Sequence, residues 1–191
     1  MKLDTPVIVA SQNPDKVAEI EHVLAQLGIE IVRGHSWPEV AETEPTLEGN
    51  ALLKARAVVA ATGMAAIGDD TGLEVEALGG APGVFTARYA GPNATYADNV
   101  TKLLAELAGA GNRRARFRTA VAFVDPTGEE VVVAGSLEGE IAHERRGTGG
   151  FGYDPVFLVG ERTLAEMGAD EKHAISHRAV ALRALRVALQ T

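Results

Sequence analysis

The chain has 191 residues and a formal net charge of −8, from 26 acidic residues against 18 lysines and arginines. A chain of this length can bury a sizeable core, and we expect a single domain over residues 1–191. The absence of cysteine excludes disulfide frameworks and thiolate metal sites. The acidic balance disfavours a nucleic-acid polymer as partner but allows a small phosphorylated ligand. Apolar runs are too short for a signal peptide or a membrane span, so we expect a cytoplasmic protein with no membrane association.

The first predicted elements are a strand, a tight loop and a helix. The apolar run Pro6 to Ala10 is typical of a strand buried on both faces. Asn13 suits a helix N-cap, Pro14 suits the first helical position, and an apolar stripe predicts a helix that ends at Gly28. Lys16 lies in its first turn, where the macrodipole favours negative charge. That lysine fits either a loop that grips an anion such as phosphate or an ordinary solvated position.

A second strand and a second helix follow. Residues 29–33 are expected to form the strand, and an acidic loop then leads to an Ala-rich helix over residues 46–62, closed by Gly63. Asn50 and Lys54 are four residues apart, so they share one face near the start of this helix.

Two adjacent carboxylates end the next apolar run. Asp69 and Asp70 are followed at once by Thr71 and Gly72, which predicts a tight turn after the strand. Two like charges at this separation repel unless a cation or a proton intervenes, so we expect a positive partner there. The alternating pattern of residues 73–77 predicts a further strand with one buried face.

The remaining pattern predicts a third helix, a hairpin, a glycine-rich loop, a short strand and a last helix. These span residues 95–109, 113–144, 145–154, 155–159 and 176–189. The order β-α-β-α-β-α-β-β-β-α predicts a three-layer α/β fold, with an elongated mixed β-sheet flanked by helices.

The glycine-rich loop contains a match to the dinucleotide fingerprint. Residues 147–152 spell GTGGFG, but that motif binds dinucleotides only where it opens a helix, and Asp154-Pro155 blocks one. The loop is therefore either a plain flexible connection or a place of close backbone approach to a ligand, with Phe151 and Tyr153 as stacking surfaces.

Two other motifs suggest different enzymes. Asp70-Thr71-Gly72 is the aspartic-protease tripeptide, but the chain has one copy and the chemistry needs two carboxylates sharing a proton. His173 and His177 are four residues apart, as in a helical zinc pair, but no glutamate follows His173 and no cysteine is available. We expect two ordinary histidines on one helix face.

The remaining candidates are acids and cations near loops and helix ends. Hard oxygen ligands without thiolates favour Mg²⁺ or Mn²⁺ over zinc. Carboxylates that hold Mg²⁺ while lysines neutralise phosphate oxygens are what phosphoryl transfer requires, although separate surface charges would give the same composition. The candidates are Glu42, Glu44, Asp69, Asp70, Lys16, Lys54, Lys172, His177 and Arg178.

From Pro6 to Leu189 the chain resembles the inosine/xanthosine triphosphate pyrophosphatase family. The matching blocks are Ser11-x-Asn13-x-x-Lys16, Glu42 with Asn50-Ala51 and Lys54-Ala55, GDDTGLEVEALGGAPGVFTARYAG, GTGGFGYDPVF and EKHAISHR. The resemblance implies hydrolysis of ITP, dITP and XTP to the monophosphate and pyrophosphate, which removes these noncanonical purine nucleotides from the pool. It also implies a Mg²⁺ requirement, with Mn²⁺ as a substitute, and homodimers of two-lobed subunits with the site in a central cleft.

The same resemblance implies a role for individual residues. Asp70 would activate water and bind metal, with Glu42 as second metal ligand and Asp69 in support. The triphosphate would be held by Ser11, Gln12, Asn13, Pro14, Asp15, Lys16 and Lys54. The nucleoside would be surrounded by Thr71, Phe151, Gly152, Tyr153, Asp154, Lys172, His177 and Arg178. Phe151 would stack on the base, and His177 with Arg178 would help to bind its 6-oxo edge.

Three positions depart from the family pattern. Glu44 replaces a common glycine, so Glu42 and Glu44 are both candidate metal ligands. Gly49 stands where the family often has glutamate, and Thr71 replaces a frequent serine while keeping the hydroxyl. Two alternatives stay open: a related pyrophosphatase for other modified nucleotides, and a regulatory protein that binds nucleotides without turnover.

Overall fold

The computed structural model describes residues 6–190, and residues 1–5 and 191 lie outside the described part. The chain forms two compact units. The first comprises the described residues up to Asp70, together with Thr119–Gly135 and those from His177 onward, and the second comprises Thr71–Arg118 and Ser136–Ser176. The expectation of a single domain stays a prediction.

A mixed sheet, with seven strands among residues 6–190, forms the framework, and the element order predicted a mixed sheet. The strand order is β1-β2-β4-β5-β6-β7, with β3 paired to β2. The pair β1–β2 is parallel, whereas β2–β3, β5–β6 and β6–β7 are antiparallel. The strands are β1 Ile8–Val9, β2 Ala66–Val75, β3 Pro82–Gly83, β4 Arg114–Val124, β5 Glu130–Ile141, β6 Phe157–Val159 and β7 Arg162–Thr163.

Within the described part of the chain, five α-helices flank the sheet. They are α1 Pro14–Gln26, α2 Leu47–Thr62, α3 Tyr96–Glu106, α4 Ala169–Ile175 and α5 His177–Ala188. No helix in residues 6–190 combines the length and apolar character needed to cross a membrane.

Local sequence explains where the first unit's helices begin. Asn13 caps α1, because its Oδ1 accepts hydrogen bonds from the backbone N–H groups of Asp15 and Lys16. Thr46 caps α2 through the N–H of Gly49. The apolar faces of α1 and α5 pack with β1, β2 and β4 into one buried cluster that includes Ile20, Leu24, Ile67, Val121, Leu182 and Leu185.

The second unit has its own core. Helix α3 opens with a capping box in which Thr95 and Asp98 each bind the other's backbone N–H. Its apolar face, including Leu103, packs in a cluster with Leu73, Phe117 and Phe157.

Three sequence predictions differ from the structure, and three short elements were not predicted. The turn expected at Asp69–Gly72 is wrong, because β2 runs without interruption through these residues. The strand expected over residues 29–33 is only an isolated bridge between Val7 and Ile31. Helix α4 and the two-residue strands β3 and β7 were not predicted. His173 and His177 do not share a helix, because Ser176 between α4 and α5 is extended.

Candidate active site

The Lys54 ammonium forms ion pairs with both of the carboxylates predicted as metal ligands. Its Nζ lies 2.8 Å from Oε1 of Glu42 and 3.2 Å from Oδ1 of Asp70. Lys54 comes from the second turn of α2, Glu42 from the loop before that helix, and Asp70 from the middle of β2. Two acids from separate segments therefore converge on one cation site.

A glycine on β2 allows this convergence. A Cβ atom at Gly68 would lie 2.3 Å from the backbone oxygen of Ala51 in α2, so only glycine permits the helix to approach the strand this closely. Asn50, one turn before Lys54, then reaches the same acid, and its Nδ2 lies 3.2 Å from Oδ2 of Asp70. Each oxygen of the Asp70 carboxylate thus accepts a hydrogen bond from α2.

Asn50 also holds the loop that carries the other acid. Its Oδ1 accepts from the backbone N–H of Glu44 at 3.0 Å, and its Nδ2 lies 3.3 Å from the Glu44 carbonyl oxygen. The Glu44 side chain is exposed, whereas Glu42 is partly buried beside Lys54. The geometry therefore favours Glu42 over Glu44 as the inward-facing acid.

Asp69 faces a separate set of cations. Its Oδ2 lies 3.4 Å from Nζ of Lys16 and 3.2 Å from Nε of Arg178. Arg178 is only 1% exposed, and its NH1 also binds Oε2 of Glu19. A buried guanidinium shared by two carboxylates links α1, β2 and α5, and Lys16 in the first turn of α1 adds a second cation to this network.

Adjacent acids on one strand have opposite pKa shifts. Burial, together with the neighbouring charges of Glu42 and Asp69, raises the pKa of Asp70 despite the opposing effect of Lys54 and Lys16. Burial would also raise the pKa of Asp69, but Lys16, Arg178 and Lys54 together hold it well below its usual range. Burial disfavours the charged form of Lys54, but Asp69, Asp70 and Glu42 outweigh this effect and raise its pKa. Asp70 therefore keeps more basic character than its neighbour.

The donor set around Lys54 fits a divalent ion. Glu42 and Asp70 offer carboxylate oxygens to one cation, and hard oxygen donors of this kind are those that Mg²⁺ and Mn²⁺ prefer. The two acids come from a loop and a strand, and hydrogen bonds from Asn50 hold both the loop and the Asp70 carboxylate.

The second unit brings together three of the residues predicted to surround the nucleoside, namely Phe151, Asp154 and Lys172. Oδ2 of Asp154 accepts from the backbone N–H of Phe151 at 2.8 Å and from Nζ of Lys172 at 2.6 Å. That ammonium lies 4.7 Å from the centre of the Phe151 ring, in cation–π range. The buried Asp154–Lys172 pair thus fixes the conformation of the loop and presents an aromatic ring beside a cation.

Tyr153 also stabilises the conformation of the glycine-rich loop. Its hydroxyl donates to the carbonyl oxygen of Thr86 at 2.9 Å, and burial, with Tyr89 nearby, raises the pKa of its phenol. Tyr96 at the start of α3 also contacts the loop, since its ring centre lies 6.0 Å from that of Phe151.

The other predicted residues lie in the loop after β1, in the first turns of α1 and α5, within β2 and in the glycine-rich loop. Ser11 accepts from the N–H of Asn13, whose own side chain caps α1. Gln12, Pro14 and Asp15 are exposed, Thr71 and Gly152 are partly buried, and His177 is buried.

Three residues near these groups were missing from the predicted set of site residues. Asn50 had a sequence signal, because it shares a helix face with Lys54, but its contact with Asp70 depends on the fold. Glu19 and Thr119 had no signal, because a buried glutamate on a helix and a threonine on a strand are ordinary until their partners are known.

The Ham1 family model matches residues 7–188. The chain belongs to the Ham1 family. Relatives from Bacillus licheniformis and Symbiobacterium thermophilum, both named dITP/XTP pyrophosphatase, are 47% and 48% identical to it. These alignments cover 96% and 92% of this chain, and 97% and 90% of the respective relatives.

Solved structures of family members have the same fold. A HAM1 protein from Coxiella burnetii is 42% identical, with a TM-score of 0.87 over 97% of this chain and 98% of its own. A nucleoside-triphosphatase / dITP/XTP pyrophosphatase from Mycobacterium abscessus is 46% identical, with a TM-score of 0.74 over 94% of this chain and 97% of its own. The three-layer architecture predicted from the element order is therefore that of the Ham1 proteins.

Proposed function

We propose that this chain hydrolyses noncanonical purine nucleoside triphosphates, namely ITP, dITP and XTP, to the monophosphate and pyrophosphate. The observation that carries the proposal is the convergence of Glu42 and Asp70 on the Lys54 ammonium. Relatives over nearly the whole length are named dITP/XTP pyrophosphatase, which supports the same substrates here. The reaction would remove these nucleotides from the pool, and we extend the proposal to a cytoplasmic homodimer.

In this proposal Asp70 is the base. Its carboxylate takes a proton from the attacking water, whose oxygen forms the new bond to the α-phosphorus. The bond between that phosphorus and the oxygen bridging to the β-phosphate breaks, and pyrophosphate leaves. Burial raises the pKa of Asp70, which makes it a better proton acceptor than an exposed aspartate. The hydrogen bond from Asn50 keeps the carboxylate oriented.

Lysines and a divalent ion would compensate the charge of the triphosphate. Lys16 at the start of α1 and Lys54 on α2 neutralise phosphate oxygens, and the remainder of the loop Ser11 to Lys16 contacts the chain of phosphates. Glu42 and Asp70 would hold Mg²⁺, or Mn²⁺ in its place, and the ion would supply electrostatic stabilisation of the charge that develops on the phosphate oxygens. Asp69 supports this arrangement by fixing Lys16 and Arg178.

The purine base of the nucleotide would be bound by the aromatic and cationic residues already described. Phe151 stacks on the purine, and the pair of Asp154 and Lys172 holds the ring in place. His177 and Arg178 would help to bind the 6-oxo edge. A pocket that hydrogen-bonds this edge leaves polar groups unpaired against adenine, so selection against ATP is expected.

The test is product analysis with Mg²⁺ across ITP, XTP, GTP, ATP and dTTP, in wild type and Asp70→Asn. We expect IMP and pyrophosphate from ITP, little turnover of ATP, and loss of turnover in Asp70→Asn with retained nucleotide binding. Preference for a different nucleotide would indicate a pyrophosphatase with another substrate. Binding without turnover in the wild type would indicate a regulatory protein and contradict the proposal.

A further inference from the structure

A threonine hydroxyl contacts the imidazole at the start of α5. Oγ1 of Thr119 lies 2.5 Å from Nδ1 of His177, and the contact is buried, with Thr119 fully inaccessible and His177 only 5% exposed. Thr119 lies on β4, in the same unit as α5. This side chain is outside the set of residues assigned above to the site.

The backbone around the imidazole is closely packed. A Cβ atom at Gly135 of β5 would lie 2.3 Å from the carbonyl oxygen of His177 and 2.4 Å from the backbone nitrogen of Ala181. Strand β5 therefore lies directly against the first turn of α5. The next residue, Arg178, is held by Asp69 and Glu19. The backbone that carries the ring is therefore fixed on both sides, and the Thr119 hydroxyl lies within hydrogen-bond distance of Nδ1.

A neutral imidazole has one N–H, and the hydrogen bond at one nitrogen decides the character of the other. If the Thr119 hydroxyl donates to Nδ1 of His177, the ring proton lies on Nε2, which then acts as a donor. If Nδ1–H donates to the hydroxyl instead, Nε2 is an acceptor. A 6-oxopurine presents an acceptor oxygen at C6, whereas adenine presents an amino donor at that position. In the first tautomer, Nε2–H can donate a hydrogen bond to the oxo group, whereas it would meet another donor at the amino group of adenine.

We propose that the Thr119 hydroxyl donates to Nδ1 of His177 and holds the imidazole as the Nε2–H tautomer, which makes Thr119 a specificity-determining positioning residue for 6-oxopurine triphosphates. This inference rests on the proposed function, in which His177 helps to bind the 6-oxo edge of the base. Thr119 does not touch the substrate and acts only through the proton position on the ring.

The direct test is ¹⁵N NMR of histidine-labelled full chain without nucleotide at neutral pH, with the His177 signals assigned by their loss in His177→Gln. We expect an unprotonated Nδ1 and a protonated Nε2. Thr119→Ser should keep this pattern, and Thr119→Val should give a mixture of tautomers. Thr62→Val, at the end of α2, is the control and should leave the His177 signals unchanged. An Nδ1–H tautomer or an imidazolium in the wild type would overturn the inference.

The second test is the ratio of kcat/KM for ITP to that for ATP. Thr119→Val should lower this ratio about tenfold, because the ring can then accept as well as donate, and Thr119→Ser should restore it. Urea unfolding of both variants establishes that they fold. A folded Thr119→Val variant with the wild-type ratio would overturn the inference.

The two proposals fail separately. A wild-type enzyme that prefers ITP but carries the Nδ1–H tautomer contradicts only the role of Thr119. A wild-type chain that turns over no purine triphosphate contradicts the proposed function, and with it the link between the tautomer and base selection.

Discussion

The side chain of Glu44 occupies the space that a side chain at Gly49 would need. A Cβ atom at Gly49 would lie 2.7 Å from Cβ and 2.9 Å from Cγ of Glu44. The family resemblance implies a departure at both positions, with glutamate in place of a common glycine and glycine in place of a frequent glutamate. On that resemblance, the two departures exchange which residue fills one space.

This exchange predicts strong coupling between the two positions. Gly49→Ala alone should lower the free energy of unfolding by about 1–3 kcal/mol, because the new methyl group overpacks against Glu44. In a Glu44→Gly background the same change should be stabilising by roughly 0.5–1 kcal/mol, because alanine is preferred to glycine in a helix. Urea unfolding of the four proteins in the cycle measures the coupling. An equal effect of Gly49→Ala in both backgrounds would show that the side chains do not share this space.

Gly68 predicts an effect on the position of α2. Gly68→Ala must push the helix away from β2, because its Cβ would meet the backbone of Ala51. Asn50 and Lys54 would then move away from the Asp70 carboxylate. We expect kcat/KM for ITP to fall at least about tenfold, because small displacements of catalytic groups cause losses of this size. Gly111→Ala is the matched control, since nothing lies within 4 Å of a Cβ there. Similar activity of both variants would refute the positioning role of Gly68.

Because its guanidinium is buried, Arg178 should contribute much more to stability than an exposed arginine of the same helix. Arg178→Met leaves Asp69 and Glu19 without a shared cation and should cost about 3–5 kcal/mol. Arg183→Met, at an exposed position of α5, should change stability by no more than about 0.5 kcal/mol. Thermal and urea unfolding compare the two variants. Equal losses would mean that the Asp69–Arg178–Glu19 network does not stabilise the fold.

The opposite pKa shifts of two adjacent acids predict opposite effects of pH on stability. The pKa of Asp69 in the folded state is depressed, so its charge stabilises the fold above the unfolded-state pKa, and this contribution is lost as pH falls below about 4. Asp69→Asn should therefore be less stable than wild type by about 3 kcal/mol at neutral pH, with a gap that narrows in acid. The pKa of Asp70 is raised, so its charged form disfavours the fold.

Asp70→Asn, without metal, should therefore be more stable than wild type at neutral pH, because the uncharged amide avoids the cost of burying a charge. This advantage should shrink as pH falls through the raised pKa of Asp70, because the wild-type carboxyl then becomes neutral as well. Unfolding curves at a series of pH values with a chelator present measure both variants. Parallel pH profiles for Asp69→Asn and Asp70→Asn would contradict the opposite shifts.

The sequence predicted those elements whose ends carry local signals. Asn13 with Pro14 marked the start of α1, and Thr46 with Gly63 marked both ends of α2. The turn at Asp70 was wrong because local turn preference competes with sheet pairing, and in β2 the pairing with neighbouring strands prevails. Helix α4 was missed because its seven residues, ADEKHAI, are too few and too polar to show an apolar stripe.

The sequence allowed us to predict which residues form the site but not which acid pairs with which cation. The acids and cations were recognisable by residue type and by the family resemblance. Which acid faces which cation depends on distant contacts, since Asp69 and Arg178 are 109 residues apart in sequence. Glu42 and Glu44 lie in a loop without periodicity, so only the position of Lys54 distinguishes them.

In the proposed site, Glu42 and Asp70 together would hold a divalent ion. The most direct test of this claim is Mn²⁺ binding followed by electron paramagnetic resonance in wild type, Glu42→Gln, Asp70→Asn and the control Glu44→Gln, without nucleotide. We expect Glu42→Gln and Asp70→Asn each to weaken binding at least about tenfold, as losing one carboxylate from a hard-oxygen site should, while Glu44→Gln binds like wild type. Wild-type affinity in Glu42→Gln or Asp70→Asn would contradict the claim, and loss of binding in Glu44→Gln alone would assign the ion to the other glutamate.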